Sequence, residues 1–465
     1  MRVLPAAPLC EISVLAEALG AKITPVGTPR ARICGIATHA AECTQGDLFL
    51  AMRGKQTCGI RFAAEALANG AGAILTDTPF TPPVGSYWLL SVPDIAGALL
   101  SAAAFWRSRL SARVVAVAGS TGKTTVKELI AAVLSEKYTV KKSMGNYNSG
   151  VGMPLTLLSM SDADYAVLEL GINARGEMAV LARALSPDIA LLTNVGSAHV
   201  GNFRDGQELL LEKLAVAEGL TPDGWLLLPE ALPIGKGIAP HICRVGVGRN
   251  ADALATQVRY GSFGTVATVQ VGKLCIPDLS WPVAGRIGLS CLLFAAAVGS
   301  LASMNESEIR AGVARAAALT PRMRRVVLGE RILIDDTYNA SPEAMLLALE
   351  GLSYMAEGRP MAAVLGDMGE LGDKSRLYHE TVGMLAAGSG LEGLYLFGEH
   401  AGAYARGAGN AGLSCERIFA FGRDEGEALV QCLCKTLPKN ATVLFKASRK
   451  VALDCVVKMF VEALK

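Results

Sequence analysis

The chain of 465 residues is long enough for about three domains, each with its own hydrophobic core. Its 44 basic residues balance 42 acidic ones, so we expect neither nucleic acid nor an anionic membrane to be its main partner. The 11 cysteines include no Cys-x₂-Cys pair. Such usage is typical of reduced thiols in a cytoplasmic protein and argues against a disulfide or zinc framework. We also expect the chain to act as a monomer.

The N-terminal part of the chain predicts a small α/β unit. Apolar residues at helical spacing predict a helix over 10–19, which Gly20 ends. Turn residues bound an apolar strand at 46–54, and a helix over 62–68 and a strand at 73–75 follow.

From Val114 onward, continuous apolar runs alternate with helical stretches. The predicted strands lie at 114–117, 165–170, 189–193 and 225–228, and the predicted helices at 126–134, 177–185 and 206–219. This alternation is typical of a parallel sheet with helices on both faces. Two further strands, 265–271 and 274–279, predict an antiparallel ribbon at one edge of that sheet.

Residues 287–304 contain no charged side chain, which is compatible with a membrane span. The stretch only just reaches the length that a span requires, and it is rich in Ala, Ser and Gly. We therefore predict a helix buried between a sheet and its neighbours, and no membrane span.

A third α/β unit is predicted after Pro321. Its strands are expected at 326–334, 362–365, 394–397, 418–421 and 442–445. Pro342 is well placed as the first residue of a helix, because Ser341 before it can cap the helix.

The sequence AGSTGKTT at 118–125 directly follows the strand at 114–117 and opens the next helix. Backbone N–H groups and the positive end of a helix converge in such a turn, where a polyphosphate can bind. Lys123 would place its charge on the β- and γ-phosphates, and the Thr124 hydroxyl would reach a Mg²⁺ ion. The full phosphate-loop pattern has a further glycine where this chain has Val117. The alternative is a glycine-rich turn that binds nothing.

Polar residues follow the ends of the neighbouring predicted strands. Glu169 ends one strand, His199 follows the next, and Lys213 lies on the helix after it. Ligands bind at the carboxyl ends of strands in open α/β sheets, so these residues suggest a second metal position beside the first. Considered alone, Glu169 could be a solvated carboxylate and His199 a hydrogen-bonded structural residue. Their occurrence together favours a site.

With these motifs the chain resembles the Mur ligases, the ATP-dependent amide-forming enzymes of cell-wall precursor synthesis. The features shared with the whole family are GSTGKTT at 119–125, Glu169, TNVG at 193–196 with His199, and Lys213. Three further stretches resemble the MurF group: GNYNSGVGMPLTLL at 145–158, DTYNASP at 336–342, and LGDMGELG at 365–372 followed by His379. The resemblance runs over nearly the whole chain.

The resemblance implies an α/β protein of three domains. These are a small N-terminal domain that binds the UDP substrate (1–108), a central P-loop domain with a mostly parallel sheet (109–318), and a Rossmann-like C-terminal domain (319–465). The implied activity is ATP-dependent addition of D-Ala-D-Ala to UDP-N-acetylmuramoyl-tripeptide through an acyl phosphate. The alternatives are another ligase of the superfamily, similar to MurE or to folylpolyglutamate synthase, and a nucleotide-binding module without ligase activity.

The resemblance also implies roles for individual residues. ATP would be bound by Gly119, Ser120, Thr121, Gly122, Lys123, Thr124, Thr125, Arg322, Asp336, Tyr338 and Asn339. Two Mg²⁺ ions would be held by Thr124, Glu169, His199 and Lys213, the lysine being carbamylated in the family. The catalytic residues would be Lys123, Glu169, His199 and Lys213. The other substrates would be bound by Arg53, Asn146, Asn148, Ser149, Asp367, Met368 and His379.

The chain departs from the MurF pattern at its N-terminal substrate contacts. Where MurF proteins usually carry a Thr-Asp-Ser-Arg-like stretch that contacts the uridine end of the substrate, residues 38–41 read THAA. The central-domain stretch that usually reads Gly-Arg-His-Asn reads GRIG at 285–288.

Overall fold

A computed structural model describes residues 1–54, 57–81, 83–145, 147–196, 203–235, 237–319 and 323–464. Within these residues the chain forms three sheets in succession, each flanked by helices. The sheets are mostly parallel, which confirms the predicted α/β fold class. The domain bounds at 108/109 and 318/319 remain predictions.

The N-terminal sheet has the strand order β1-β3-β4-β5-β6-β2, parallel from β3 to β6 and antiparallel at both edges. Its elements are β1 (Arg2–Val3), α1 (Ile12–Leu19), β2 (Lys22–Val26), β3 (Ile36–Ala37), β4 (Leu48–Leu50), α2 (Ala63–Ala68), β5 (Ala73–Thr76), β6 (Tyr87–Ser91) and α3 (Ile95–Arg107). Leu48 and Leu50 pack in the core with α1 and α3, whereas Phe49 packs with α2 on the opposite face. Successive strand residues point to opposite faces, so both faces of the sheet are covered.

The central sheet has the order β15-β14-β13-β12-β11-β10-β7-β9-β8. Its strands are β7 (Arg113–Ala118), β8 (Val140–Lys142), β9 (Tyr165–Glu169), β10 (Ile189–Leu192), β11 (Trp225–Pro229), β12 (His241–Gly246), β13 (Ala253–Gly261), β14 (Gly264–Val271) and β15 (Leu274–Trp281). Its helices are α4 (Lys123–Leu134), α5 (Gly152–Leu158), α6 (Glu177–Leu185), α7 (Gly206–Leu214), α8 (Arg286–Leu301) and α9 (Glu306–Leu319).

Strands β7 to β13 run parallel, whereas β14 and β15 are antiparallel. The predicted ribbon at the sheet edge is therefore confirmed. Strand β7 lies between β9 and β10, with helices packed on both of its faces. The chain reverses its direction of progression across the sheet at this point, which is where open α/β sheets bind ligands.

Helix α8 covers one face of the central sheet. Its residues from Cys291 to Gly299 are buried, as predicted for the uncharged stretch 287–304. In the part of the chain that the structure describes, no helix has the length and apolar character needed to cross a bilayer.

The C-terminal sheet has the order β16-β17-β21-β18-β19-β20, parallel except for the edge strand β16. Its elements are β16 (Arg324–Leu328), β17 (Arg331–Asp336), α10 (Pro342–Ala356), β18 (Met361–Gly366), α11 (Ser375–Ala387), β19 (Gly393–Phe397), α12 (Ala401–Asn410), β20 (Ile418–Phe421), α13 (Gly426–Thr436), β21 (Thr442–Lys446) and α14 (Leu453–Ala463). Pro342 begins α10, and the Ser341 hydroxyl accepts a hydrogen bond from the Ala344 N–H at 3.4 Å, so the predicted cap is confirmed.

Three of the predicted elements were wrong in extent. The single strand at 326–334 is a hairpin, because the chain turns between Leu328 and Arg331, with Gly329 at φ 58°. The helix at 206–219 is α-helical only to Leu214, after which a 3₁₀ turn continues to Gly219. The strand at 46–54 is confined to Leu48–Leu50.

Candidate active site

The phosphate loop joins β7 to α4 and is fixed to the end of β10. The Asn194 side-chain oxygen accepts hydrogen bonds from the N–H groups of Ser120 at 3.1 Å and Thr121 at 2.9 Å. The Thr193 hydroxyl donates to the Thr121 carbonyl at 2.7 Å. Gly119 has φ 142°, and a Cβ on it would lie 2.0 Å from the Thr193 hydroxyl oxygen. The close approach of the two chain segments therefore requires glycine at position 119.

Lysine side chains converge on the same loop from two helices. Lys123, in the first turn of α4, donates to the Gly119 carbonyl at 3.0 Å. Lys213, in the last turn of α7, donates to the same carbonyl at 3.3 Å. The positive charge of Lys123 beside a turn at a helix N-terminus favours a polyphosphate there.

Lys213 is almost completely buried, with 1% of its surface exposed. Burial, together with the charge of Lys123, lowers the pKa of Lys213 from 10.5 to about 7. A substantial fraction of this side chain is therefore a neutral amine near neutral pH, and the neutral amine is the form that can react with carbon dioxide to give a carbamate.

Glu169, at the end of β9, lies directly beside the first turn of α4. One of its carboxylate oxygens accepts a hydrogen bond from the Thr124 hydroxyl at 2.9 Å, and the other accepts one from the Asn148 amide at 2.7 Å. Only 3% of Glu169 is exposed. A hydroxyl and a carboxylate, both oxygen donors next to a phosphate loop, fit Mg²⁺.

Of the remaining predicted metal residues, Lys213 lies in the described part of the chain. Among the described residues, no group of three or more His, Cys, Asp or Glu side chains could hold a metal ion. As an ammonium, Lys213 would repel a cation, so it fits the role of a metal ligand only as a carbamate. The predicted residues His199, Asn146 and Arg322 lie outside the described residues.

The β17–α10 turn of the C-terminal domain is held by a buried lysine. Lys446, of which 2% is exposed, forms an ion pair with Asp336 and donates to the Asn339 carbonyl at 2.9 Å. These contacts fix the turn that carries Tyr338, whose side chain is partly exposed. Glu343, in the first turn of α10, reaches the central domain: a Cβ on Gly196 would lie 2.6 Å from the Glu343 carboxyl carbon.

The predicted substrate residues of the C-terminal domain all take part in hydrogen bonds within that domain. Asp367 accepts hydrogen bonds from the N–H groups of Glu399 and His400, each at 2.9 Å. His379 Nε2 accepts from the Met368 N–H at 2.9 Å, and its Nδ1 lies 2.7 Å from the Ser375 carbonyl. His379 is completely buried, and desolvation lowers its pKa to about 4. Its direct contact with a substrate stays a prediction.

A cavity of about 590 Å³ lies between the N-terminal and central domains. Residues 38–41, Arg53 and Phe62 line it from the N-terminal side, and Tyr147 and Ser149 from the central side. The Arg53 guanidinium is held by Asp77 at 3.3 Å and by the Thr78 hydroxyl at 3.2 Å. The predicted residues Arg53 and Ser149 thus share one cavity, although they are far apart in sequence.

Sequence reasoning included Asn194 in the TNVG stretch without assigning it a role, and it did not single out Lys127. Asn194 directly follows a predicted strand, and this position at a strand end was the sequence feature that could have indicated a site residue. Lys127 lies four residues after Lys123, on the same face of α4, where a second lysine beside the phosphate loop is easily taken for a solvent-exposed residue.

Comparison with known proteins decides the family. The model of the Mur ligase middle domain matches residues 117–299, that of the glutamate ligase domain matches 321–449, and that of the Mur ligase catalytic domain matches 32–98. A UDP-N-acetylmuramoyl-tripeptide–D-alanyl-D-alanine ligase from Synechocystis is 35% identical over 440 residues, covering 92% of this chain and 91% of the relative. The chain belongs to the Mur ligase family, in its MurF group.

Solved structures agree with this assignment. A crystal structure of MurF from Acinetobacter baumannii superposes with a TM-score of 0.84 at 26% identity and covers 99% of each chain. MurF from Thermotoga maritima, solved in complex with ADP, superposes with a TM-score of 0.76 at 26% identity, covering 92% of this Mur ligase and 97% of that chain. The predicted family and three-domain architecture are confirmed.

Proposed function

We propose that this Mur ligase joins D-Ala-D-Ala to the terminal carboxylate of UDP-N-acetylmuramoyl-tripeptide, using ATP, in the cytoplasmic synthesis of peptidoglycan precursors. One observation carries the proposal. The phosphate loop with Thr124 and Glu169 lies next to the segment that lines the 590 Å³ cavity, so a nucleotide-linked substrate in that cavity could extend toward the phosphates of ATP. The relatives of the MurF group support the same reaction.

The chemistry starts from an unreactive carboxylate. The γ-phosphoryl group of ATP is transferred to an oxygen of the substrate carboxylate, ADP is released, and an acyl phosphate forms. The amine nitrogen of D-Ala-D-Ala then attacks the carbonyl carbon, the amide bond forms, phosphate leaves with the bridging oxygen, and the nitrogen loses a proton. In such transfers, positioning and charge stabilisation do most of the work.

The residues of this chain divide these tasks. The phosphate loop and Lys123 hold the β- and γ-phosphates, and Lys123 offsets the charge that accumulates on them. Thr124 and Glu169 would hold one Mg²⁺ ion, and His199 with a carbamylated Lys213 would hold a second. Bound there, Mg²⁺ supplies positive charge that offsets the repulsion between phosphate and carboxylate.

The C-terminal domain completes the site. By the family resemblance, we assign the nucleotide to Asp336, Tyr338, Asn339 and Arg322, and the incoming dipeptide to Asp367, Met368 and His379. Docking of this domain onto the central domain would exclude water, which protects an acyl phosphate from hydrolysis.

The test is an incubation of the purified protein with ATP, Mg²⁺ and UDP-N-acetylmuramoyl-tripeptide, with and without D-Ala-D-Ala. We expect a pentapeptide product, with one phosphate released per product, only when the dipeptide is present. Lys123→Met is expected to abolish the product, whereas Lys137→Met, three residues beyond the same helix, should leave it unchanged.

Two outcomes would contradict the proposal. Consumption of ATP with a single amino acid or a folate instead of the dipeptide would indicate a MurE-like or folylpolyglutamate-synthase-like ligase. Binding of ATP without any turnover would indicate a nucleotide-binding module.

A further inference from the structure

Lys127 is a completely buried lysine in α4, one turn after Lys123. Its ammonium group has three acceptors: the Ser143 carbonyl at 2.7 Å, the Gly145 carbonyl at 3.1 Å, and a Glu128 carboxylate oxygen at 3.0 Å. An ammonium has three hydrogens to donate, so this set satisfies it fully. Burying a charge is costly unless hydrogen-bond partners compensate it. The folded protein therefore keeps the two carbonyls within reach of the ammonium group.

The two carbonyls belong to the segment 143–149, of which residues 143–145 and 147–149 are described. This segment is bound to the end of β9 by further hydrogen bonds. The Ser143 hydroxyl accepts from the Glu169 N–H at 3.1 Å, and the Asn148 carbonyl accepts from the Gly171 N–H at 2.8 Å. A Cβ on Gly171 would lie 2.8 Å from the Asn148 Cγ, so this segment is in close contact with the residues that follow β9.

The same segment forms one wall of the substrate cavity. Tyr147 and Ser149 line the cavity directly, and so do Val151 and Gly152, which follow them at the start of α5. One face of the segment therefore holds the Glu169 carboxylate through Asn148, and the other contacts the space where we place the nucleotide-linked substrate.

We propose that Lys127 is a positioning residue that holds the segment 143–149 between the Thr124–Glu169 pair and the substrate cavity. Through Ser143 and Asn148, it fixes the direction in which the Glu169 carboxylate points. It also holds the cavity wall at a fixed distance from the phosphate loop. A single ammonium group would thus align ATP at the loop with the UDP-tripeptide in the cavity. The consequence for turnover rests on the proposed function, whereas the anchoring itself does not.

The anchoring is tested in the ligand-free protein by hydrogen exchange in the variant Lys127→Met. We expect the amides of 143–149 and 167–171 to exchange roughly tenfold faster or more, because their segment loses its anchor. The amides elsewhere in the central sheet should exchange as in the wild type. Lys142→Met is the matched control, because Lys142 also pairs with Glu128 but lies half-exposed.

Three results would overturn the anchoring: unchanged exchange in Lys127→Met, equal acceleration in Lys142→Met, or acceleration spread over the whole central domain. The last would mean that Lys127 only stabilises the fold. Should Lys127→Met not fold, the comparison is made with Lys127→Gln, whose shorter, uncharged side chain has two hydrogens to donate instead of three. We then expect a smaller acceleration that is confined to the same amides.

The effect of Lys127 on catalysis is measured separately, by steady-state kinetics. In Lys127→Met we expect a higher Mg²⁺ concentration for half-maximal rate and a higher KM for the UDP-tripeptide, with the KM for ATP nearly unchanged. Unchanged Mg²⁺ dependence would contradict the link to Glu169. If the wild type forms no pentapeptide, the proposed function fails, while the exchange experiment still decides the anchoring.

Discussion

Glu169 shows how single side chains are oriented in this site. Its two carboxylate oxygens are separately engaged, one by the Thr124 hydroxyl and one by the Asn148 amide. A carboxylate held from both sides keeps one orientation, and a fixed orientation is what allows it to stabilise charge without rearranging during the reaction.

Glu169→Gln keeps the size of this side chain but removes its charge. Because the proposed Mg²⁺ ion would need this negative charge, we expect kcat to fall by about 100-fold or more, while the Kd for the UDP-tripeptide changes little. Steady-state kinetics and calorimetric binding measure the two effects. Glu218→Gln, at a surface ion pair with Arg183, is the control. Equal loss of kcat and of substrate affinity would contradict the assignment.

His379 makes the stability of the protein depend on pH. With its Nε2 accepting from the Met368 N–H, the neutral ring carries its proton on Nδ1, toward the Ser375 carbonyl. Its folded-state pKa is about 4, below the unfolded value of about 6.5. Full stability is therefore present above pH 6.5 and declines as the pH falls toward 4, by up to about 3 kcal/mol.

The prediction for His379 is measured by unfolding between pH 7 and pH 4.5. The wild type should lose more stability over this interval than His379→Gln, which has no titrating ring. His241 is exposed, so His241→Gln should lose as much stability over this interval as the wild type. Parallel curves for the wild type and His379→Gln would show that another group governs the acid sensitivity.

At the residue scale, sequence predicted the components but not their contacts. Glu169 was placed correctly beside Thr124, because strand ends in a parallel sheet meet at one edge. The Asn148–Glu169 bond and the Lys127 anchor could not be predicted, because both depend on how the segment 143–149 returns to the sheet. Local periodicity carries no information about such a path.

The phosphate loop is the element that we propose holds the phosphates of the nucleotide. Its turn brings Gly119 so close to Thr193 that any side chain at position 119 would collide with the Thr193 hydroxyl. The loop can therefore adopt this shape only with glycine there.

Gly119→Ala is expected to displace the loop from Asn194 and Thr193 and to weaken ADP binding by roughly 100-fold, since the clash lies at the phosphate-binding turn. Calorimetric titration with ADP measures this. Gly206→Ala is the matched control: a Cβ there meets nothing within 4 Å, and it should bind ADP as the wild type does. Normal ADP affinity in Gly119→Ala would rule out this loop as the phosphate site.

Elements with a strong apolar pattern were predicted well, and those defined by turns were not. The uncharged helix and six of the nine strands of the central sheet were predicted from their composition, whereas β8, β12 and β13 were not. The β16–β17 hairpin was missed because only Gly329, Glu330 and Arg331 separate its two apolar arms, and Gly329 is the strong turn signal among them.

At the scale of the whole molecule, α10 joins the C-terminal domain to the central one. Arg286 donates to Glu350 at 2.8 Å, and Tyr354 packs on Tyr260 with ring centroids 4.7 Å apart. The exposed ion pair contributes little by itself, so ring packing is the stronger contact. The same helix carries Glu343 against Gly196, which connects the domain interface to the active site.

We propose that the reactants contact different domains, and we therefore expect their binding to bring the C-terminal and central domains closer together. The radius of gyration measured by small-angle X-ray scattering should fall when a non-hydrolysable ATP analogue and the UDP-tripeptide bind together, and less with either alone. Scattering curves that coincide with and without both ligands would show that domain closure is not part of the mechanism.

Transfer of oxygen from substrate to phosphate tests the central claim most directly. The UDP-tripeptide is prepared with a heavy oxygen isotope in its terminal carboxylate and is converted with unlabelled ATP and D-Ala-D-Ala. If the carboxylate is phosphorylated, each phosphate released with a pentapeptide carries one labelled oxygen, which mass spectrometry detects. Unlabelled phosphate released with the product would contradict an acyl phosphate, and with it the account of how this site uses ATP.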